Sequence, residues 1–232
     1  MKRYLCVLLA MCVLLLSGCG KPAEMDKMST PWVVPSELLG QPIKDALKAG
    51  WDKWNAMSAD EQLVSSSLPG WGDRYFDSWE ECESFVGLTV PNPLETCGWL
   101  EKGTYVGMPI GFADAQRMWV TWEGDAKGTL RRVMLYAGYC SGDVRVTLTT
   151  TIYGEKDFQY NDTRWSTYLE YTDGIGAYIE EGDSWNPGRC TGTVAKGYVL
   201  YYVNVLGPND TPEASRAMLD KVLELLETVE IE

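Results

Sequence analysis

The hydrophobic pattern of the chain changes its period at Pro91-Asn92-Pro93, and this change constrains the fold more than any other feature. Before it, apolar residues from Ile43 to Trp54 recur every three or four positions, as on one face of a helix. After it, apolar and polar residues alternate, most clearly in 144–153. The pattern therefore predicts a helical section followed by a strand-rich section.

Helix boundaries have their own signals. Ser58 and Ser78 each precede a glutamate by three positions, which is a capping box and predicts short helices to about residue 65 and about residue 85. Thr211-Pro212 predicts the cap and first turn of a last helix that runs to about residue 229. Its predicted apolar stripe consists of Ala214, Met218, Val222, Leu225 and Val229.

Strand signals follow one another at short intervals. Alternation predicts strands over 118–122, 132–139, 144–153, 167–171, 177–180 and 198–206. Turns as short as Ser141-Gly142-Asp143 favour antiparallel neighbours. We therefore predict an α+β domain with N-terminal helices, an antiparallel sheet of about six strands and a C-terminal helix packed on the sheet. One sheet face is expected to be polar and solvated, with Arg145, Thr147, Thr149 and Thr151.

The N-terminus has the features of a secretory signal. Lys2 and Arg3 precede an apolar run over 4–16, which ends in Leu16-Ser17-Gly18-Cys19. The run is too short to span a bilayer, which takes about 20 apolar residues. Residues 20–35 are polar and contain prolines, so we interpret 19–35 as a tether and 36–232 as a single globular domain.

Leu16-Ser17-Gly18-Cys19 resembles the lipobox of bacterial lipoproteins, in which the cysteine thiol carries a diacylglycerol and the signal is cut off just before it. The resemblance implies that residues 1–18 are a signal peptide and that Cys19 is the acylated first residue of the mature protein. It also implies a lipid-anchored location at the cell membrane or outer membrane, facing the extracytoplasmic side. Because Gly20 rather than aspartate follows Cys19, family analogy favours the outer membrane in a cell with two membranes.

A second resemblance covers about residues 40–230. The order of five motifs is similar to that in uncharacterised lipoproteins of Gram-positive anaerobes. They are Trp51-Asp52-Lys53-Trp54, Met57-Ser58-Ala59-Asp60-Glu61, Leu68-Pro69-Gly70, Ser78-Trp79-Glu80-Glu81 and Pro91-Asn92-Pro93. These motifs are mostly caps and turns. The resemblance implies the fold and a surface location, and it implies no activity.

Net charge limits the partners. The chain carries a net charge of −13, which becomes −15 if Lys2 and Arg3 leave with the leader. Such a surface repels nucleic acid. We expect the membrane as a partner through the N-terminal lipid, and a neutral or cationic envelope ligand such as a glycan or a peptide.

Catalytic signals are few. The chain contains no histidine, which removes the commonest general base and the usual zinc ligand. The closest carboxylate pairs are Glu80/Glu81, Glu180/Glu181 and Glu123/Asp125, and all three read first as helix-end or turn residues. We therefore predict a non-catalytic binding or interaction module with no cofactor and no metal. The alternatives are an enzyme that acts on envelope glycans or peptides through paired carboxylates, and an envelope-assembly or sensory accessory protein.

Four cysteines lie in the domain, and in an exported chain an even number predicts disulfides. We favour Cys82–Cys97 and Cys140–Cys190, because near neighbours along the chain meet most easily. A metal site is the alternative, but no pair has the close C-x-x-C spacing.

Ten tryptophans exceed what a core of this size needs. Three of them stand in loop-like contexts, where an exposed ring is suited to stacking on a sugar or a peptide. These candidate ligand-binding residues are Trp71, Trp165 and Trp185.

Overall fold

A computed structural model of the chain describes residues 34, 36–65, 69–103, 118–152, 167–170, 176–181 and 187–231, and for 167–170 and 176–181 only the main chain. The leader, Cys19 and all of the tether except Val34 therefore lie outside the described residues. Trp165 and Trp185 lie outside them as well.

The described residues form four α-helices, each where the sequence predicts one. They are α1 (Gln41–Ala56), α2 (Ala59–Val64), α3 (Trp79–Val86) and α4 (Pro212–Glu227), with short 3-10 turns at Ser36–Leu38 and Pro93–Glu95. Both capping boxes are present, since Ser58 and Ser78 each accept a bond from the main-chain N–H three residues on. Thr211 occupies the N-cap position of α4 without a side-chain cap bond, which corrects the expected cap.

The strands form one antiparallel sheet. They are β1 (Trp71–Phe76), β2 (Glu101–Lys102), β3 (Met118–Gly124), β4 (Leu130–Ser141), β5 (Val144–Ile152), β6 (Thr167–Glu170), β7 (Gly176–Glu181), β8 (Arg189–Lys196) and β9 (Val199–Leu206). Their order is β1-β3-β4-β5-β9-β8-β7-β6, and β2 pairs with β4. The α+β class is confirmed, but the sheet is larger than the predicted six strands.

Three strands lack a clear sequence signal. The edge strand β1 has no apolar alternation because both of its faces are partly exposed. The segment that forms β8 contains two threonines and a valine, but Gly192 and the charged Arg189 and Lys196 break the apolar alternation, and we predicted no strand there. The short β2 holds only two residues. Tertiary pairing, not local preference, decides these three strands.

The last helix packs on β8 and β9, as predicted. Its buried residues are Ser215, Leu219, Val222, Leu223 and Leu226. Of the predicted stripe, Val222 and Val229 are buried, whereas Met218 and Leu225 are only partly buried against the core. The helix is apolar around a wide arc, and the shape of the sheet selects which part is buried. A Cβ at Gly192 would lie 3.1 Å from methyl groups of both Leu219 and Leu223. Glycine there lets the two leucines approach the sheet closely.

One face of the sheet is the core. Along β5, Val146, Leu148 and Ile152 are buried beneath the helices, as the alternation predicts. The opposite face is not the solvated surface that we expected. Thr147 is only 1% exposed there and Thr149 and Thr151 are half-buried, whereas Arg145 is exposed. Large rings on neighbouring strands share this face, for example Tyr136 and Tyr202 on either side of Thr149.

The two ends of the sheet have different neighbours. At one end, which we call the Gly124 end, the N–H of Gly124 donates to the Gly70 carbonyl at 3.0 Å. The N–H of Val34 donates to the Leu130 carbonyl at the same end, also at 3.0 Å. The opposite end, which we call the Ser141 end, holds the β4–β5 turn.

Candidate functional site

The structure describes one of the three tryptophans predicted to bind a ligand. Trp71 begins the edge strand at the Gly124 end, pairs with Glu123, and is 37% exposed. The tryptophans that the structure describes on the core face of the sheet stabilise the fold instead of binding a ligand. Trp79 and Trp122 are buried, and the Trp51 indole N–H donates to the Gly124 carbonyl at 3.2 Å.

The candidate site is an open groove beside β1, with a volume of about 530 Å³. Three parts of the chain line it, namely α1, the C-terminal end of β1 and α3. Consecutive strand residues point to opposite faces, so Tyr75 and Phe76 straddle the sheet edge and α3 closes one side. The lining residues are Pro42, Tyr75, Phe76, Asp77, Glu81, Ser84 and Phe85. Because the groove is open, a ligand held there would stay partly exposed to solvent.

The rings in the apolar part of the groove pack on one another. The Phe85 ring lies 5.3 Å from the ring of Phe76 and 5.3 Å from the ring of Trp122. The Arg74 guanidinium lies over Phe85 at 4.7 Å from the ring centre, which is a cation–π contact. On the other side of the strand, the Tyr75 and Trp119 rings are 6.2 Å apart. These contacts link the groove rings to the buried Trp122 and to Trp119.

The polar rim consists of Asp77, Glu81 and Ser84, which are exposed. One carboxylate oxygen of Glu81 accepts bonds from the main-chain N–H groups of Asp77 at 2.9 Å and Ser78 at 3.3 Å. This carboxylate therefore completes the capping box of α3. The rim is acidic, and its hydrogen-bonding groups can accept from hydroxyl or ammonium groups of a ligand.

The predicted carboxylate pairs do not form an acid–base site in the described residues. Glu81 is committed to the cap, while Asp125 accepts from the main-chain N–H groups of Lys127 at 2.9 Å and Thr129 at 3.1 Å. The bond from Thr129 is the main reason why the pKa of Asp125 is lowered. The side chains of Glu180 and Glu181 lie outside the described residues. Two facing carboxyls of the kind that a glycosidase needs are therefore not seen in the part of the chain that the structure describes.

A different carboxyl has a raised pKa. Burial raises the pKa of Glu83, whose carboxylate accepts from the Val90 N–H at 2.7 Å. Glu83 does not line the groove. It holds the segment after α3, so we assign it a structural role.

Buried aromatic residues hold the same segment. The Trp79 indole N–H donates to the Val90 carbonyl at 2.7 Å, and the Tyr201 hydroxyl donates to the Pro91 carbonyl at 2.8 Å. The Asn92 amide donates to the Tyr139 hydroxyl at 2.6 Å. Burial raises the pKa of both Tyr139 and Tyr201. Proton transfer by these two tyrosines near neutral pH is not supported.

The predicted disulfides are absent among the four described cysteines. Cys140 shares a row and a face with Arg145, Leu206 and Arg189, so Cys190, next to Arg189, points to the opposite face. Three strand spacings separate β4 from β8, about 14 Å, whereas a disulfide needs Cα atoms within about 7 Å. The Cys140–Cys190 pairing is therefore wrong.

The other predicted pair, Cys82–Cys97, is also unbonded. The Cys97 thiol donates instead to the Leu94 carbonyl at 3.3 Å. Cys82 is fully buried in α3, and burial raises the pKa of its thiol to about 12. The thiol of Cys82 therefore behaves as a small core side chain.

Sequence reasoning missed the groove because its residues give no motif. Tyr75, Asp77 and Phe85 are ordinary strand, turn and helix residues, and only the packing of α3 against the sheet edge brings them together. The one local signal is the capping box at Ser78, which places Glu81 at the first turn of α3.

In the described ranges, no group of three or more His, Cys, Asp or Glu side chains is placed to hold a metal ion. Within those ranges, no helix has the length and apolar character needed to cross a membrane.

Comparisons with known proteins add no assignment, since no family model, no curated protein and no solved structure matches the chain.

Proposed function

We propose that this chain is a membrane-anchored extracytoplasmic lipoprotein whose domain is a non-catalytic binding module. The lipobox-like Leu16-Ser17-Gly18-Cys19 supports the anchor, with lipid on Cys19. The observation that carries the binding role is the open groove beside β1, which has an aromatic floor and an acidic rim.

The groove favours a neutral or cationic ligand. The half-buried rings of Tyr75 and Phe76 offer apolar surface, with the buried Phe85 ring beneath them, while Asp77 and Glu81 offer hydrogen-bond acceptors. Rings of this kind stack on the faces of sugars and on the side chains of peptides. The net charge of −13 acts in the same direction, because it disfavours anionic ligands. We therefore propose an envelope glycan or peptide as the ligand.

The binding test uses chitooligosaccharides and muropeptides as probes, with isothermal titration of the full chain. We expect Tyr75→Ala to weaken the binding of the best probe by about tenfold or more, because it removes a half-buried ring of the groove. Trp71→Ala is the matched control, since it removes an exposed ring at the other end of the same strand. Equal binding by wild type and Tyr75→Ala, or a loss confined to Trp71→Ala, would contradict the assignment of the groove.

The anchor is tested separately by membrane fractionation and mass spectrometry. We expect Cys19 of the mature protein to carry a diacylglycerol, and Cys19→Ala to abolish lipid labelling. If the Cys19→Ala protein still carries lipid, the lipoprotein assignment is wrong. This test does not depend on the groove.

The enzymatic alternative requires two carboxyls that act on a bound substrate. The groove carboxylate of Glu81 is held by two main-chain N–H groups of the α3 cap, which argues against a catalytic role. We expect no turnover of muropeptides or chitooligosaccharides during prolonged incubation with the protein, monitored by mass spectrometry. Turnover that disappears in Asp77→Asn would favour the enzyme instead.

A further inference from the structure

The large hydrophobic side chains that are exposed in the described residues are Leu63 at 85%, Val64 at 81% and Trp71 at 37%. Leu63 and Val64 end the six-residue helix α2, which has no buried residue. Such a short helix is marginal by itself in water. Its two exposed apolar side chains are therefore a candidate contact surface.

Hydrogen bonds of neighbouring residues place the segments that carry these side chains near the Gly124 end, with Trp71 on the sheet face opposite α1. Trp71 follows Gly70, whose carbonyl binds the Gly124 N–H. The Trp51 indole of α1 reaches the Gly124 carbonyl, and Trp54 lies about one helical turn further along α1, beyond that end. The Gln62 amide of α2 donates to the Trp54 carbonyl at 2.9 Å, which brings α2 to the same end.

The N-terminal part of the chain enters the domain at this end, where the Val34 N–H binds the Leu130 carbonyl. Fifteen residue steps separate Cys19 from Val34, so the linker reaches at most about 50 Å when fully extended. A lipid on Cys19 thus keeps the Gly124 end within this distance of the bilayer.

We infer that Leu63, Val64 and Trp71 form a membrane-contacting surface, which seats the Gly124 end of the domain on the bilayer that holds the anchor. The inference rests on the proposed lipid on Cys19. Tryptophan is enriched at the bilayer interface, where its ring meets the headgroups and acyl chains. The surrounding charges are of both signs, with Asp60 and Glu61 on α2 and Lys127 and Arg131 on the β3–β4 hairpin. A zwitterionic surface therefore suits the patch better than an anionic one.

This orientation has a consequence for the groove. Tyr75 and Asp77 lie at the C-terminal end of β1, at the opposite end of the strand from Trp71, so the groove is nearer to the Ser141 end. An apolar contact at the Gly124 end would leave the groove turned away from the bilayer. A second lipid-binding element commonly adds to an acyl anchor, since each additional apolar contact strengthens residence at the interface.

The test is tryptophan quenching by brominated phosphatidylcholine in nanodiscs that carry the lipidated full chain. We expect brominated acyl chains to reduce the emission of the wild type by the share that Trp71 contributes as one of ten tryptophans. Trp71→Phe should remove that loss. The double variant Leu63→Ser/Val64→Ser should also reduce the quenching by brominated lipid, by about half or more, because the patch loses apolar area. Asp60→Ser, on the same helix, is the matched control and should leave the quenching unchanged.

The outcomes separate the two proposals. Quenching that is the same in the wild type and Trp71→Phe overturns the membrane-contacting surface. A blue shift of Trp71 emission that rises with protein concentration and needs no brominated lipid would mean that a second copy covers the patch, and this also overturns it. A failure of the anchor is distinct, because the chain then lacks the mass of a diacylglycerol on Cys19 and does not enter nanodiscs.

Discussion

Several buried side chains of this domain can ionise only at a cost to the fold. Cys82 and Tyr201 are fully buried, and Tyr139 is nearly so. For each of them burial raises the pKa in the folded chain. In the unfolded chain the same groups have ordinary values of about 8.5 for a thiol and about 10 for a phenol. Stability is therefore linked to alkaline pH through these residues.

We predict that these three groups leave the free energy of unfolding unchanged below about pH 8 and lower it above that pH. A raised folded-state pKa contributes fully below the unfolded-state pKa, and the contribution is lost as the pH rises towards the folded-state value, about 12 for Cys82. We expect a loss of about 3–6 kcal/mol between pH 8 and pH 11, most of it from Cys82. Urea unfolding at a series of pH values measures it. Tyr201→Phe should flatten the fall above pH 10, and a rise in stability over this range would contradict the burial of these groups.

At the scale of elements, the two capping boxes are alike locally but differ in what they support. Ser58 begins α2, which has no buried residue, whereas Ser78 begins α3, which buries Trp79, Cys82 and Phe85. Because only α3 belongs to the core, its cap is coupled to global unfolding.

Ser78→Ala should therefore lower the free energy of unfolding by about 1 kcal/mol. Ser58→Ala is the matched control and should change it by no more than a few tenths, about 0.3 kcal/mol, because α2 can fray while the domain stays folded. Urea denaturation followed by tryptophan fluorescence compares the two. Equal effects of both substitutions would show that α2 is part of the cooperative core.

The last helix is held at both ends by residues beside β8. The Ser215 hydroxyl donates to the Gly188 carbonyl at 2.6 Å near the start of α4. At its C-terminal end, the Lys196 ammonium donates to the carbonyls of Glu227 and Val229. A cation at this position also interacts favourably with the helix dipole.

Lys196→Met should destabilise the domain by about 1–2 kcal/mol, because carbonyl groups at the end of α4 lose a charged donor. Lys196→Arg retains the cation and should recover at least half of the loss. Thermal unfolding by circular dichroism measures both variants. An unchanged melting temperature in Lys196→Met would mean that water replaces the ammonium without cost.

At the scale of the whole molecule, the sheet keeps the cysteines of β4 and β8 apart. Cys140 and Cys190 lie on opposite faces and three strands apart. We predict that unfolding without reductant, followed by alkylation with iodoacetamide, labels Cys82, Cys97, Cys140 and Cys190. Intact-mass and peptide analysis gives the count, and a sample reduced first is the control. If fewer than these four cysteines are labelled without reductant, the domain contains a disulfide and the prediction is wrong.

Features that act within a few residues were predictable from the sequence alone. The capping boxes at Ser58 and Ser78 and the alternation of β5 each determine one element, because a cap reaches three residues and a strand face repeats every two. The α+β class follows from the order of these elements.

Only the tertiary structure decided how the elements meet. Main-chain hydrogen bonds are the same for every strand, so the placement of β9 between β5 and β8 is not visible in local patterns. Strand order in turn separated Cys140 from Cys190, although they had looked like a pair along the chain. The packing of α3 beside the β1 edge likewise assembled the groove from Tyr75, Asp77 and Phe85, while Trp71 came to lie at the other end of the strand. Distances across a sheet depend on pairing between distant segments, and that pairing is a property of the whole fold.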